Sequence, residues 1–349
     1  MVTTAAAAPP GGAATSVLKV NDLKKHFPIR GGLLNRRIAS VQAVDGVSFE
    51  VRKGETLGIV GESGCGKSTT ARLLMRLMDP DWGDVLIDGE KVGPAGLSLR
   101  DMRRRMQMVF QDSYASLNPR LTVEDTIAFA PIVHGVPAAQ ARQRARDLLA
   151  RVGLEPNLYI RRYPHELSGG QRQRINIARA LALEPEIVIL DEAVSALDKS
   201  VEAQVLNLLM DLKREMSLTY IFISHDLNVV NYVSDRVLVM YLGKVVEIGT
   251  VEAIYDAPRH PYTKALLSAM PSMDPDRRAT VAPLSGDPPN PINPPPGCRF
   301  HTRCPLAEPI CRSKEPLLFH STERPGAMVA CHAADPTSSH SSARAKAQS

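Results

Sequence analysis

Aromatic residues make up only 5% of this 349-residue chain, with a single Trp, and no apolar run approaches the roughly 18–20 residues needed to cross a bilayer. The second shortage excludes a chain that spans a membrane by itself, so any membrane contact must pass through a partner. Charge of either sign is also in short excess: 42 Lys plus Arg stand against 37 Asp plus Glu, a net +5. That balance would suit nucleic acid or an acidic membrane surface without selecting either. The basic run LRDMRRRM (99–106) and the arginines at 142, 144, 146 and 151 lack interleaved aromatics or any nucleic-acid module, so they read as a solvated helical face. A secretory signal is missing too. The opening MVTTAAAAPPGGAATS has no basic n-region and no sustained apolar stretch, and residues 1–16 are expected to be a disordered leader.

What is present is ordinary globular composition, 44% hydrophobic and 23% charged. Residues 17–27 and 41–60 read as strands joined by a Gly- and Arg-rich excursion that fits a loop or short hairpin. DVLIDG, MQMVF, EIVILD, TYIFIS and RVLVMYL are buried-strand candidates, interleaved with helical stretches at 138–152, 170–183 and 199–216. The interleaving predicts a mainly parallel sheet covered by helices, an α/β fold. Residues 97–162, mostly amphipathic helical pattern, are expected to form an inserted helical subdomain within a domain spanning 17–270. Residues 282–297 hold seven prolines in sixteen positions, so 271–297 reads as an extended linker. A small cysteine module over 298–333 and a disordered tail over 334–349 complete the expected organisation.

The strongest motif is GESGCGKS, comprising Gly61, Glu62, Ser63, Gly64, Cys65, Gly66, Lys67 and Ser68. It matches GxxxxGK[ST] between a predicted strand and helix, the context in which such a loop cradles nucleotide phosphates. Its glycines let backbone N–H groups turn inward around anionic oxygens, and the helix that follows adds its positive N-terminal dipole. Lys67 would reach the β- and γ-phosphates, Ser68 would ligate Mg²⁺, and the Thr69 hydroxyl would lie near the α-phosphate. Further on, EIVILDE puts Asp191 at a strand's C-terminal end, beside the phosphate loop if the two strands are neighbours. Asp191 would hold Mg²⁺ through water, and Glu192 would orient a water attacking the γ-phosphate.

Between these lies LSGGQRQR, in which Ser168, Gly169, Gly170 and Gln171 open a helix as a second anion-binding helix start. With the phosphate loop, this resembles the ATP-binding cassette (ABC) ATPases, whose signature is LSGGQ. The resemblance implies a P-loop NTPase of ABC type: a mainly parallel core, an antiparallel β subdomain and the helical insertion, with ATP and Mg²⁺ as cofactors. It also implies roles for further residues. Gln111 in MVFQD matches the glutamine that senses Mg²⁺ and the attacking water, and His225 in FISHD matches the histidine that contacts the γ-phosphate. Ser195–Asp198 matches a loop crossing the dimer interface, and Phe27 matches an aromatic that stacks on adenine. Ala193 and Val194 depart from the usual Pro-Thr, with little effect expected because the acids are kept.

GGLLNRR, QDSYASLNPR, HPYTKALLSAMP and the cysteine-bearing tail narrow the resemblance to ATPase subunits of oligopeptide/dipeptide ABC importers. Cys298, Cys304, Cys311 and Cys331 have the spacing C-x5-C-x6-C-x19-C, without the short C-x2-C knuckles of structural zinc. Four thiolates suit a [4Fe-4S] cluster, zinc or no ligand at all; the subfamily resemblance favours the [4Fe-4S] cluster on these four, with His332 as an alternate. Cys65 reads either as an activated thiolate at a helix start or as an inert filler. The implied partners are integral membrane permease subunits, a second and paralogous ABC ATPase subunit and, indirectly, an extracytoplasmic peptide-binding protein, with no nucleic acid. The implied location is peripheral, on the cytoplasmic face of the inner membrane. The rival reading is a soluble ABC ATPase acting on nucleic acid or the ribosome. Such forms carry two cassettes in one chain or a long coiled coil, and this sequence has neither.

Overall fold

The computed structural model describes residues 15–31, 36–270, 289–320 and 326–343. The expected leader through residue 14, residues 32–35 of the GGLLNRR insertion, residues 271–288 of the linker, 321–325 of the cysteine segment and 344–349 of the tail lie outside them.

Two sheets organise the chain. β1 (Ser16–Gly31), β2 (Arg36–Arg52), β4 (Trp82–Ile87) and β5 (Glu90–Lys91) form an antiparallel sheet in the order β2-β1-β4-β5. The excursion expected as a loop or short hairpin continues a long hairpin, paired from Ser16 with Arg52 out to Gly31 with Arg36. DVLIDG, expected in the main sheet, supplies most of β4 here.

The larger sheet contains β3 (Thr56–Val60), β6 (Met106–Val109), β7 (Ile187–Asp191), β8 (Thr219–Ile223), β9 (Arg236–Tyr241), β10 (Lys244–Thr250), β11 (Phe319–His320) and β12 (Met328–Val329). Their order is β11-β12-β10-β9-β3-β8-β7-β6. From β9 to β6 all neighbours are parallel, and β10, β12 and β11 continue the edge antiparallel.

The parallel strands read as unbroken apolar runs because both faces are covered. Successive side chains point to opposite faces, so Ile187, Ile189, Ile221, Ile223, Leu238 and Met240 enter the core under the antiparallel sheet. Val188, Leu190, Tyr220, Phe222, Val237 and Val239 enter the core on the opposite face. Burying each large aliphatic chain contributes about 1.5–3 kcal/mol relative to leaving it in water.

The helices are α1 (Lys67–Leu74), α2 (Leu99–Arg105), α3 (Val123–Val133), α4 (Ala138–Arg151), α5 (Pro156–Tyr159), α6 (Gly169–Leu181), α7 (Lys199–Met216), α8 (Leu227–Val233), α9 (Val251–Asp256), α10 (Pro261–Ser268) and α11 (Pro309–Ser313). The helical insertion exists as α3 to α5, but β6 belongs to the main sheet, so the arm begins later than residue 97. Hydroxyl and carboxylate N-caps start three of the four longest helices: Thr122 caps α3, Ser168 caps α6 and Asp198 caps α7, while α4 follows Pro137 without a side-chain cap.

The C-terminal segment does not stand apart as a distinct cysteine module. Its strand β12 pairs with β10, and Phe300 is buried in the core shared with Tyr241 and Tyr262. Residues 334–343, expected in a disordered tail, include a buried His340 whose ring nitrogen lies 2.8 Å from the Leu306 carbonyl. The basic face of α2 is likewise anchored: Arg105 pairs with Glu186 at 2.8 Å and also with Asp88.

Candidate active site

Four adjacent parallel strands, β3, β8, β7 and β6, end on one edge of the sheet, and each delivers one element of the motif set just past its C-terminus. β3 leads to the phosphate loop, β8 to His225, β7 ends at Asp191 followed by Glu192, and β6 leads to Gln111. The C-terminal edge of a parallel sheet is where such folds bind ligands. β3 and β7 are not direct neighbours, since β8 lies between them. The loop and α1 nevertheless cross the gap, and the Ser68 hydroxyl donates to Asp191 Oδ1 at 3.0 Å.

The loop's shape depends on two glycines. At Gly61, with φ 150°, a Cβ would lie 2.2 Å from the Met240 carbonyl oxygen; at Gly66, with φ 107°, it would lie 2.2 Å from that of Ala43. No side chain fits either approach. Lys67 is buried and its Nζ folds back to donate to the carbonyls of Gly61 (2.7 Å) and Glu62 (3.1 Å). Gly66 serves as the N-cap of α1 and no side chain caps that helix, so its first N–H groups face the loop.

Burial holds Asp191 above the usual carboxylate range; the Ser68 hydrogen bond opposes this and the Glu192 charge adds to it. Such a buried carboxylate beside a hydroxyl suits a divalent cation, whose charge would favour the ionised form. Glu192 has φ 48°, the left-handed region that costs a non-glycine residue about 1–3 kcal/mol. The fold enforces it: the Glu192 N–H donates to the Ile223 carbonyl at 2.9 Å, and its own carbonyl accepts from the Ser195 hydroxyl at 2.9 Å. Gln111 Nε2 donates to Glu192 Oε2 at 2.7 Å, and His225 Nδ1 lies 3.6 Å from the same oxygen. Thus Gln111, Glu192 and His225 form one group, and Lys67, Ser68 and Asp191 another beside it. Phe27, on β1 opposite Val41, is 37% exposed, with Lys25 Nζ 5.8 Å from its ring centre.

Residues 44–195 match the ABC transporter family, and residues 246–311 match the oligopeptide/dipeptide transporter C-terminal region. A probable peptide ABC transporter ATP-binding protein of Sinorhizobium fredii is 54% identical over 92% of this chain and 91% of its own. The chain belongs to the ATP-binding subunits of peptide ABC transporters. The oligopeptide transport ATP-binding protein AppF of Bacillus subtilis is 51% identical, covering 91% of this chain and 97% of its own. The dipeptide transport ATP-binding protein DppF of Escherichia coli is 49% identical, covering 91% and 95%. Among solved structures, CbiO1 of Clostridium perfringens, part of the ABC transporter complex CbiONQ, aligns with TM-score 0.59 at 27% identity over 70% of this chain and 92% of that one. The ATP-binding cassette MJ0796, in a dimeric post-hydrolysis state with ADP and Pi, aligns with TM-score 0.58 at 29% identity over 67% and 98%.

In this ABC subunit the signature forms a closed helix start. The Ser168 hydroxyl accepts from the Gln171 N–H at 3.3 Å, and Gln171 Oε1 accepts from the Ser168 N–H at 3.0 Å, a reciprocal capping box. Gly169 and Gly170 follow as the first helical residues, and Gly170 approaches Val201 of α7 so closely that a Cβ would fall 2.6 Å from its Cγ1. Asp198 accepts from the Val201 N–H at 3.0 Å, which keeps its carboxyl below the usual range.

The cysteine expectations need correction. Cys298, Cys304, Cys311 and Cys331 do line one small cavity, together with His260, Phe300 and His332. Among the described residues, however, no group of three or more His, Cys, Asp or Glu side chains is disposed to hold a metal ion, so the [4Fe-4S] assignment on these four thiols is overturned. The cavity is about 10 Å³, room for one water and not for a cluster. Burial pushes the Cys298 thiol up to about 12 and the Cys331 thiol up to about 11, so both are neutral at pH 7 and pack as small apolar groups.

Cys65 is only 3% exposed, and burial raises its thiol above the ordinary value although Lys67 Nζ lies 3.9 Å from the sulfur. Burial therefore supports the filler reading over the activated thiolate. Maleimide at pH 7 should label Cys65 slowly in the native protein and fast once it is unfolded; rapid native labelling, read by peptide mass, would refute this.

Two contacts to the loop were assigned no role by the sequence. Tyr262, in the HPYTKALLSAMP stretch, accepts at its hydroxyl from the Glu62 N–H at 2.8 Å, and Arg303 pairs with the Glu62 carboxylate.

Proposed function

We propose that this subunit hydrolyses ATP to drive uptake of di- or oligopeptides through membrane permease subunits. The observation that carries the reading is the convergence of Lys67, Ser68, Asp191, Glu192, Gln111 and His225 on one sheet edge. In this reading the N–H groups of residues 61–68 and the Lys67 ammonium bind the β- and γ-phosphates, and Phe27 stacks on adenine. Ser68, Asp191 and Gln111 would hold Mg²⁺, which supplies charge neutralisation at the phosphates. Glu192, oriented by Gln111, takes the proton as water oxygen bonds to the γ-phosphorus and the bond to the β,γ-bridging oxygen breaks. His225 donates to the γ-phosphate. Ser168, Gly169, Gly170 and Gln171 of one subunit meet the γ-phosphate on the other subunit's loop, so two subunits, this one and a paralogous partner, clamp two nucleotides.

The domain spans 17–270, and its helical arm transmits closure to the permease. α3 carries Phe129, Ile132 and Val133 exposed at i, i+3 and i+4, one helix face suited to an apolar permease segment. Among the described residues no helix is long and apolar enough to cross a membrane, in keeping with a peripheral subunit on the cytoplasmic face. An extracytoplasmic binding protein would deliver the peptide. Reconstitution with the permease subunits in vesicles and labelled di- and oligopeptides tests the reading: ATP-dependent uptake is expected. Phe129→Asp should cut uptake by about tenfold or more, the scale of losing a buried apolar anchor, while ATP binding persists. Co-purification with nucleic acid, and no association with permease subunits, would overturn it.

A further inference from the structure

Glu62 is the only acid in the phosphate loop, and every polar group it has is engaged. Its N–H donates to the Tyr262 hydroxyl at 2.8 Å, and its carbonyl accepts from Lys67 Nζ at 3.1 Å. Its carboxylate receives both prongs of the Arg303 guanidinium, Nη1 to Oε2 at 2.8 Å and Nη2 to Oε1 at 3.1 Å. Only the Lys67 contact and the Cys65 N–H, which donates to the Glu62 carbonyl at 3.2 Å, come from the loop itself. Tyr262 comes from α10 and Arg303 from the cysteine-bearing segment, and the two are locked together through rings. Tyr241 lies 4.6 Å from Tyr262 and 5.3 Å from Phe300, centre to centre, and Phe300 lies 5.5 Å from Tyr262. The Arg303 N–H donates to the Phe300 carbonyl at 3.0 Å, its Nη1 reaches the Tyr241 hydroxyl at 3.4 Å, and its side chain is 6% exposed.

A carboxylate in a loop built for polyanions is a liability, because it repels the ligand that the loop's N–H groups attract. A paired guanidinium cancels that charge, and its planar fork also fixes the carboxylate's orientation in a way that a lysine does not. We infer that Arg303 is a positioning residue for the phosphate loop. It acts through Glu62 to neutralise and hold the loop's opening turn, so that the C-terminal segment sets the subunit's affinity for ATP. The inference rests on the ATPase reading above, and it gives the C-terminal segment a task that needs no bound metal.

The test is a double-mutant cycle on the full chain with Arg303→Ala, Glu62→Gln and the pair, reading KM and kcat for MgATP hydrolysis and binding of a fluorescent ATP analogue. Arg303→Ala should raise KM about tenfold with kcat changed less than about twofold, the scale of one charge-assisted pair. In the Glu62→Gln background the same change should raise KM less than about twofold, because the carboxylate it neutralised is gone. Arg303→Lys should recover part of the loss, and if Arg303→Ala fails to fold, Arg303→Lys and Arg303→Gln carry the same cycle. Equal KM effects in both backgrounds, or none in either, would overturn the inference while leaving the ATPase reading intact. A wild-type protein that binds no ATP analogue would overturn that reading instead.

Discussion

Glu192→Gln is expected to bind ATP normally and to hydrolyse it about 10² to 10⁴-fold more slowly, the range for removing a general base. The substitution is nearly isosteric, so the backbone at φ 48° keeps its bonds to Ile223 and Ser195. The side-chain amide can still present an oxygen to Gln111, whose Nε2 now donates at 2.7 Å. What disappears is the negative charge and the capacity to take a proton. His225, 3.6 Å away across the same oxygen, cannot replace it, because its proposed task is to donate to the γ-phosphate. Binding without turnover should accumulate nucleotide-trapped dimers, visible by gel filtration with bound ATP. Turnover within a few-fold of wild type in the assembled transporter would show that Glu192 is not the base.

Lys67→Ala should fail one step earlier, at binding. The ammonium now donates to the carbonyls of Gly61 and Glu62 inside a buried pocket, so truncation removes the loop's cation and leaves two carbonyls short of a donor. Loss of a charged hydrogen bond is worth about 1.5–3 kcal/mol, so ATP affinity should fall roughly 10- to 150-fold, measured by titration with a fluorescent analogue. The pair of variants separates chemistry from binding. Glu192→Gln should change kcat, and Lys67→Ala should change Kd and, through it, everything downstream. Unchanged affinity in Lys67→Ala would mean that the backbone N–H groups of the loop carry phosphate binding by themselves.

Much of this site is local in origin, and for that reason it is legible in the sequence. A phosphate loop is one contiguous strand-turn-helix, so its spacing and glycines declare it. GESGCGKS folds as read because the close approaches at Gly61 and Gly66 leave no space for a side chain. The same holds for EIVILD, whose apolar run is a strand buried on both faces, and for LSGGQ, whose Ser and Gln at i and i+3 close a capping box within four residues. The helices at 138–151, 169–181 and 199–216 carry their own caps or their own apolar stripes.

Strand order is different, because it depends on which surfaces meet. Periodicity identified MQMVF, EIVILD, TYIFIS and RVLVMYL as strands, yet only the assembled sheet interposes β8, which leads to His225, between β3 and β7. DVLIDG has the same apolar character and joins the other sheet, since residues 82–87 find their partner in β1 rather than in the core.

The cysteines fall in the same class. Their spacing allowed a cluster, zinc or nothing, and spacing cannot report whether four thiols enclose room for a cluster or only for a water. The packing of Phe300 and His260 around them decided that. For Cys65 the neighbours in sequence left an activated thiolate and an inert filler both open; burial outweighs the nearby ammonium, and burial is a property of the whole fold. The ion pair between Arg303 and Glu62 spans 241 positions and leaves no trace in either local pattern. Residues so far apart become neighbours only when the C-terminal segment packs its aromatic ring against Tyr241 and Tyr262 and extends the sheet edge beside β10.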